Sequence, residues 1–316
     1  MAYLNSISRV RPARRARNHM LQPQFPETAT VFMSETLPDF SAWIGRTESV
    51  HDGLSAEQAR SAAATFDEDF IDRESGSPLP PLWHWFYFLP RARQSALDVD
   101  GHPQRGGFLP PIPFPRRMFA GARLRFHASL RLGTSATREG EIRNVVMKSG
   151  RSGSLAFVTV GYRVLQDGVL CIEEEQDIVY RESGAPVHAP VILPRPEAAD
   201  GRWMRTITPD ARLLFRFSAL TFNAHRIHYD RPYATSEEGY PGLVVHGPLT
   251  AMLLADLVRR NTASPMTAFS FRGLAPLFDL APFHLTGIAD GASVSLEALG
   301  PDHAPALSAS AVLQRL

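Results

Sequence analysis

The stretch FSALTFNAHRIHYDRPYATSEEGYPGLVVHGPL, residues 217–249, concentrates the polar side chains that decide how the second half of the chain is interpreted. It contains His225, His228 and His246, with Asn223 just before the first two. An imidazole titrates near neutrality, so it can take a proton from water and return it within one cycle. A short turn or 3₁₀ segment would bring Asn223 and His228 to the same side. The stretch therefore predicts a proton-transfer site.

An apolar helix is predicted directly after these residues. Apolar side chains recur at helical spacing from Leu249 to Arg260, and Pro248 suits a first helical turn because its missing N–H would have no intrahelical partner. Gly247 then lies at the amino end of the helix, where free backbone N–H groups and the helix dipole favour negative charge. This end can hold an oxyanion.

The run NAHRIHYD, residues 223–230, followed by the His-Gly pair at 246–247, resembles the MaoC-like enoyl thioester hydratases of the hot-dog fold. That family reads Gly-Asp-x-Asn-Pro-x-His-x-Asp, with a later His-Gly at the start of its central helix. Here Asn223 replaces the usual Asp, His225 the Asn and Arg226 the Pro. The positions that match directly are His228, Asp230 and Gly247.

A closer resemblance extends from Pro38 to the carboxyl end. Together with the run LPPLWHWFYFLPRARQSALDVDGHPQRGGFLPPIPFPRR, residues 79–117, the chain resembles the double hot-dog branch that includes type 2 hydroxyacyl-thioester dehydratases and the itaconyl-CoA and mesaconyl-C4-CoA hydratases. The resemblance implies an α+β fold with two antiparallel sheets, each wrapped around a central helix. It also implies a hydro-lyase that acts on an enoyl-CoA thioester, with itaconyl-CoA or mesaconyl-C4-CoA as the expected substrate. No cofactor is expected beyond the coenzyme A of the substrate.

Four segments follow from this organisation. Residues 1–32 are expected to be a disordered extension or to precede the true start. Residues 33–182 are expected to form a degenerate amino-terminal hot-dog domain of the FAS1-like dehydratase type. A Pro-rich linker, residues 183–200, then leads to the catalytic MaoC-like hot-dog domain, residues 201–316.

Local patterns predict most of the regular elements. Ser55 is a candidate N-cap for an alanine-rich helix, and Asp167-Gly168 is a candidate hairpin turn between two long strands. Arg212 to Phe217 is predicted as a strand, and a second sheet is predicted to begin at Ala268. Glu173–Glu175 are expected on a solvated edge, because adjacent strand residues face opposite sides and cannot converge on one metal ion.

Composition excludes several function classes. The formal net charge of +1 provides no overall field for nucleic acid, and no apolar run approaches the ~20 residues that cross a bilayer. The single cysteine, Cys171, allows no intrachain disulfide, which fits a reducing compartment. We expect a cytoplasmic protein, or a mitochondrial matrix protein if the Arg-rich residues 1–29 are a transit peptide, and a homo-oligomer is possible.

Hydration of a conjugated thioester needs a base for water and a site for the carbonyl oxyanion, without a metal. The resemblance assigns the base to His228 and the oxyanion donor to the Gly247 N–H. Asn223 would hold the water, and either Asp230 or a backbone carbonyl would fix the imidazole tautomer.

Substrate contacts are predicted around this core. If Arg226 points inward, it can pair with a free carboxylate on the acyl group, as itaconyl and mesaconyl groups carry; otherwise it faces solvent. The other predicted substrate-binding residues are His225, Tyr229, His246 and Arg231. His246, which precedes the helix, is alternatively a helix cap or a supporting neighbour of the base.

Other functions stay open at this point. The same fold serves thioesterases, and the Asn at position 223 allows a non-catalytic acyl-CoA-binding protein. A (3R)-hydroxyacyl-thioester dehydratase of fatty-acid synthesis is the nearest enzymatic alternative. A zinc site built from His225, His228 and His246 is a further alternative, although no metal is expected.

Overall fold

Hydrogen bonds join the strands into one antiparallel sheet in the computed structural model, which describes residues 39–68, 75–150, 153–197 and 201–315. The extension predicted at residues 1–32 lies outside these ranges. Within them the strands are β1 (Thr47–Asp52), β2 (Arg116–Phe126), β3 (Ala136–Gly150), β4 (Gly153–Gln166), β5 (Val169–Arg181), β6 (Trp203–Ile207), β7 (Met266–Gly273), β8 (Phe283–Asp290), β9 (Ser293–Leu299) and β10 (Pro305–Leu313). Their order across the sheet is β1-β3-β4-β5-β2-β7-β10-β9-β8-β6.

The sheet consists of two halves that meet where β2 pairs with β7. The pairing runs from Gly121 opposite Arg272 to Arg125 opposite Ala268. Strands β1–β5 form the first half and β6–β10 the second, so the two sheets expected from the sequence are joined edge to edge. Residues 183–197 of the predicted linker contain no helix or strand, and residues 198–200 are outside the described part of the chain.

The first helix begins where the sequence predicts. Helix α1 (Ala56–Phe66) is capped by Ser55, whose hydroxyl accepts a hydrogen bond from the Glu57 N–H at 3.2 Å. The prediction of a strand at residues 212–217 is wrong, because this segment belongs to helix α2 (Ala211–Leu220), which packs against α1.

The short pattern before Phe217 fits both a strand and a helix, and the N-cap decides between them. A side-chain oxygen of Asp210 accepts the Leu213 N–H at 2.9 Å and closes the first helical turn. Leu214, Phe217 and Ser218 are then buried at helical spacing.

The central helix of the second half, α3 (Gly247–Asn261), confirms the prediction for residues 249–260. It packs against β8, β9 and β10, and every residue from Leu249 to Val258 is buried. Because both flanks of the helix are covered, its amino end is fixed firmly relative to the sheet. No helix within the described ranges is both long and apolar enough to cross a membrane.

The expectation of a solvated edge for the three glutamates is wrong for Glu174. Strand β5 pairs with both β4 and β2, so it is an interior strand, and Glu174 points inward with 3% exposure. Its two oxygens bond to His84 Nε2 and Trp85 Nε1, both at 2.9 Å. Burial alone would raise the pKa of the Glu174 carboxyl, and the hydrogen bond and charge of His84 bring it below its usual value.

Replacing Glu174 with alanine is expected to lower the free energy of unfolding by about 3 kcal/mol, because His84 and Trp85 would lose their buried acceptor. The neighbouring Glu173, about half exposed and paired with His127, is the matched control, and Glu173→Ala should change stability by less than about 0.5 kcal/mol. Urea unfolding of both variants would measure the difference. Equal losses would contradict the inward placement of Glu174.

Candidate active site

The polar stretch forms a connection between α2 and α3 that is held by its own hydrogen bonds. Phe222 adopts a left-handed φ of +50°, which reverses the chain after α2, and the Asn223 N–H donates to the Ser218 carbonyl at 2.9 Å. The side-chain oxygen of Asn223 accepts the His225 N–H at 3.0 Å. A 3₁₀ turn at Arg226–His228 follows, as the sequence predicts, and Asn223 and His228 both line one large cavity.

The protonation of the His228 ring is determined by its neighbour. The Nδ1 atom lies 2.7 Å from the carbonyl oxygen of Val244. A carbonyl can only accept, so Nδ1 carries the proton and donates it. In the neutral ring, Nε2 therefore keeps its lone pair and can accept a proton from water.

Burial keeps this imidazole neutral. Removal from solvent lowers the pKa of His228 to about 4, and the hydrogen bond to Val244 only partly offsets that effect. Since the neutral form is the one that can act as a base, His228 is ready to accept a proton throughout the neutral range.

Four imidazoles form a row along the cavity wall. The ring centroids of His102 and His225 are 4.1 Å apart, those of His225 and His228 are 5.3 Å apart, and those of His228 and His246 are 3.6 Å apart. Burial lowers the pKa of all four rings. Rings this close repel one another when charged, so the row is neutral as a whole at pH 7.

His246 packs against His228 and does not cap the helix. Its ring stacks on His228 with an interplanar angle of 19°, and its Nε2 lies 2.9 Å from the Ser218 hydroxyl. Its side chain makes no capping bond to α3, so the cap expected as one alternative is not formed. The stacking restricts the orientation of the His228 ring.

Gly247 begins α3, and its N–H has no intrahelical acceptor at that position. The residue lines the same cavity as His228 and Asn223. The cavity has a volume of about 1490 Å³, large enough for an extended ligand. A base, a polar amide and a helix amino end thus face one space, which is the arrangement required to add water beside a carbonyl oxygen.

Comparison with known proteins identifies the family of the chain. The profile of the family described as hydroxyacyl-thioester dehydratase type 2 matches residues 82–279. The chain belongs to this family. A mesaconyl-C(4)-CoA hydratase from Chloroflexus aurantiacus is 66% identical over 275 residues, which cover 87% of this chain and 98% of that protein.

Solved structures show the same fold at low sequence identity. A MaoC-like dehydratase superposes with a TM-score of 0.65 and 14% identity, covering 87% of this chain and 99% of the other. A Mycobacterium tuberculosis protein described as a double hotdog fold superposes with a TM-score of 0.54 and 14% identity, covering 86% and 96%. The double hot-dog fold predicted from the sequence is confirmed.

In this member of the type 2 dehydratase family, two arginines predicted to bind substrate form ion pairs outside the cavity lining. Arg226 pairs with Asp230 at 2.8 Å, and Arg231 pairs with Asp279. Neither arginine is among the described residues that line the cavity. Of the two orientations left open for Arg226, the structure has the one that points away from the cavity, and the predicted role of Arg231 in substrate binding stays a prediction. Asp230 therefore does not orient His228, and the backbone carbonyl is the alternative that the structure contains.

Two other predicted contact residues, Tyr229 and His225, do line the cavity. Tyr229 is 47% exposed there, and its hydroxyl donates to the Ala224 carbonyl at 3.1 Å. His225 lines the same wall. Both are positioned to contact a ligand, and their predicted role in substrate binding stays a prediction.

A loop from the first half of the chain completes the site, although no residue in it was predicted as a site residue. Gly101, with φ +91°, lies so close to the second half that a Cβ atom there would be 1.8 Å from the Ala224 carbonyl oxygen. The neighbouring Asp100 carbonyl accepts the Arg226 N–H at 2.8 Å. The Asp100 carboxylate bonds to His102 Nδ1 at 3.0 Å. An Asp-Gly-His turn was the only local signal for these residues.

The cluster of Asp100, His102 and His225 also has the composition of a metal site, since its ligand atoms lie within 4.8 Å of one another. It differs from the alternative zinc site of His225, His228 and His246, in which the Nδ1 atom of His228 already donates to the Val244 carbonyl. Burial lowers the pKa of His102 and His225, and the nearby charge of Arg117 lowers both further. A fixed cation beside the cluster opposes a second one. We therefore assign Asp100 and His102 to their mutual hydrogen bond and His225 to ring packing against His102.

Proposed function

We propose that the chain is a mesaconyl-C4-CoA hydratase, which reversibly adds water to the double bond of a C4-linked mesaconyl thioester. The observation that carries the reaction class is that His228 and the amino end of α3 face one cavity, and that Nε2 of His228 has no hydrogen-bond partner in the described part of the chain. The 66% identity to a mesaconyl-C(4)-CoA hydratase supports the choice of acyl group.

The proposed mechanism divides the work between these groups. Nε2 of His228 removes a proton from water as the oxygen adds to the carbon β to the thioester. Negative charge moves to the thioester oxygen, where the Gly247 N–H and the dipole of α3 stabilise the enolate. The proton held by His228 then returns to the α carbon, so no redox or metal cofactor is needed.

The cavity also suits coenzyme A as the carrier of the acyl group. The described residues that line it include six arginines but only two carboxylates, from Glu48 and Glu238. Coenzyme A carries several phosphate charges, and a cavity with excess positive charge raises the local concentration of such an anion.

Purified protein incubated with mesaconyl-C4-CoA should bleach the absorbance of the conjugated thioester and form a β-hydroxy thioester detectable by mass spectrometry. Itaconyl-CoA and a straight-chain (3R)-hydroxyacyl-CoA, tested in parallel, would identify the two enzymatic alternatives. Release of free thiol, measured with a thiol reagent, would indicate a thioesterase. Binding without turnover of any of these thioesters would overturn the hydratase proposal.

A further inference from the structure

The six arginines of the cavity wall differ in whether their charge is already engaged. They are Arg91, Arg105, Arg116, Arg117, Arg138 and Arg181. Four have partners: Arg91 with Asp52, Arg105 with three backbone carbonyls, Arg116 with Glu238 and Arg138 with Glu48. Arg117 and Arg181 have no hydrogen-bonded or ion-paired acceptor among the residues that the structure describes.

Only one of these two free arginines lies near the imidazole row. Arg117 is half-buried on β2. Burial is the main cause that lowers the pKa of His102 and His225, and the charge of Arg117 lowers both further. Arg181 acts instead on Glu238, whose pKa is raised by burial and lowered in part by Arg116 and Arg181. Arg117 is thus the unpaired arginine of the cavity wall that acts on His102 and His225, at the end of the row where His225 neighbours His228.

A half-buried guanidinium without an acceptor is a binding site for a planar anion. The fork of N–H donors matches a carboxylate in a bidentate geometry, and partial burial strengthens the attraction. The charge is costly to keep unpaired in a protein wall, so a ligand carboxylate would relieve that cost on binding.

The chemistry of the proposed substrate requires a cation at this place. In a C4-linked mesaconyl thioester, the carbon that receives the hydroxyl carries both the methyl group and the free carboxylate. The carboxylate is therefore one bond from the atom that water attacks, and its partner must lie beside the row that contains His228. Arg226 and Arg231, engaged outside the cavity lining, do not meet this requirement.

We propose that Arg117 binds the free carboxylate of a dicarboxylic acyl group and sets the preference for such acyl groups over monocarboxylic ones. This inference rests on the hydratase function proposed above. The two halves of the fold then have different roles: β2 of the first half recognises the acyl group, and the second half supplies the base.

Two unreactive thioesters test the inference without catalysis. The C4-linked methylsuccinyl thioester of CoA and isovaleryl-CoA are saturated and differ only in a carboxylate that replaces a methyl group. Calorimetric titration of the wild type should give tighter binding of the methylsuccinyl thioester. In Arg117→Gln, that preference should fall about 100-fold, while isovaleryl-CoA binds within about threefold of wild type.

Two further variants separate the charge of Arg117 from a general effect on the cavity. Arg117→Lys keeps the charge but loses the fork, so about one tenth of the preference should remain. Arg181→Gln removes the other unpaired arginine and should weaken both thioesters equally, leaving the preference within about threefold. Thermal melts of each variant would show that the fold is retained.

The outcomes distinguish this inference from the proposed reaction. An unchanged preference in Arg117→Gln, or no preference in the wild type, would overturn the role of Arg117 even if the protein hydrates mesaconyl-C4-CoA. Conversely, a preference that depends on Arg117 in a protein without hydratase activity would sustain the carboxylate site and reject the reaction.

Discussion

Replacing His228 with alanine is expected to reduce kcat for hydration about 1000-fold while KM changes little. The ring is neutral, its Nδ1 is fixed by the Val244 carbonyl, and Nε2 is the group left to take the proton from water. General base catalysis by a positioned side chain contributes about 10²–10⁴-fold, and alanine leaves nothing in its place. Steady-state kinetics with the enoyl thioester would measure the loss.

A second histidine provides the control. The side chain of His127 is 42% exposed and pairs with Glu173. Neither residue is among those that line the cavity. The change His127→Gln should leave kcat within about twofold of wild type. If His228→Ala retained kcat within tenfold of wild type, His228 would not be the essential base.

Acidification from about pH 7 to pH 5 is expected to remove a large part of the stability of the fold. The pKa of His228 falls from 6.5 to about 4 on burial, so between these values the unfolded chain binds more protons than the folded one. The neutral ring makes its full contribution to the free energy of unfolding above pH 6.5, and this contribution is lost as the pH falls toward 4. At about pH 5 the loss is about 2 kcal/mol for this ring alone.

The other three rings of the row act in the same direction, because burial also lowers the pKa of His102, His225 and His246. Urea unfolding at a series of pH values would measure the combined effect. In His228→Gln, the decline between pH 7 and 5 should be smaller by about 2 kcal/mol. A decline of the same size in that variant would show that His228 does not titrate with a lowered pKa.

Local sequence was sufficient for those parts of the site that are contiguous in the chain. The periodicity from Leu249 to Arg260, with Gly247 and Pro248 before it, located α3 and its amino end. His228 and Asn223 could be selected because they lie five residues apart in a polar stretch. Here the covalent chain itself brings the groups together.

Pairings between distant segments were not predictable in the same way. Whether Arg226 faces inward depends on Asp230 and on the Val99 carbonyl of the other half, to which it donates at 3.1 Å. The burial of Glu174 depends on His84 and Trp85, 90 and 89 residues away. Such choices are made by tertiary packing, which a single sequence does not record.

The approach of Gly101 to Ala224 has a consequence for how this protein can change over time. A side chain at position 101 would collide with the backbone of Ala224, in the loop that carries His225 and His228. Neither half can therefore be exchanged for a homologous one unless the incoming segment offers the same bare contact. A substitution of this glycine would therefore require a compensating change in the backbone around Ala224, more than a hundred positions downstream.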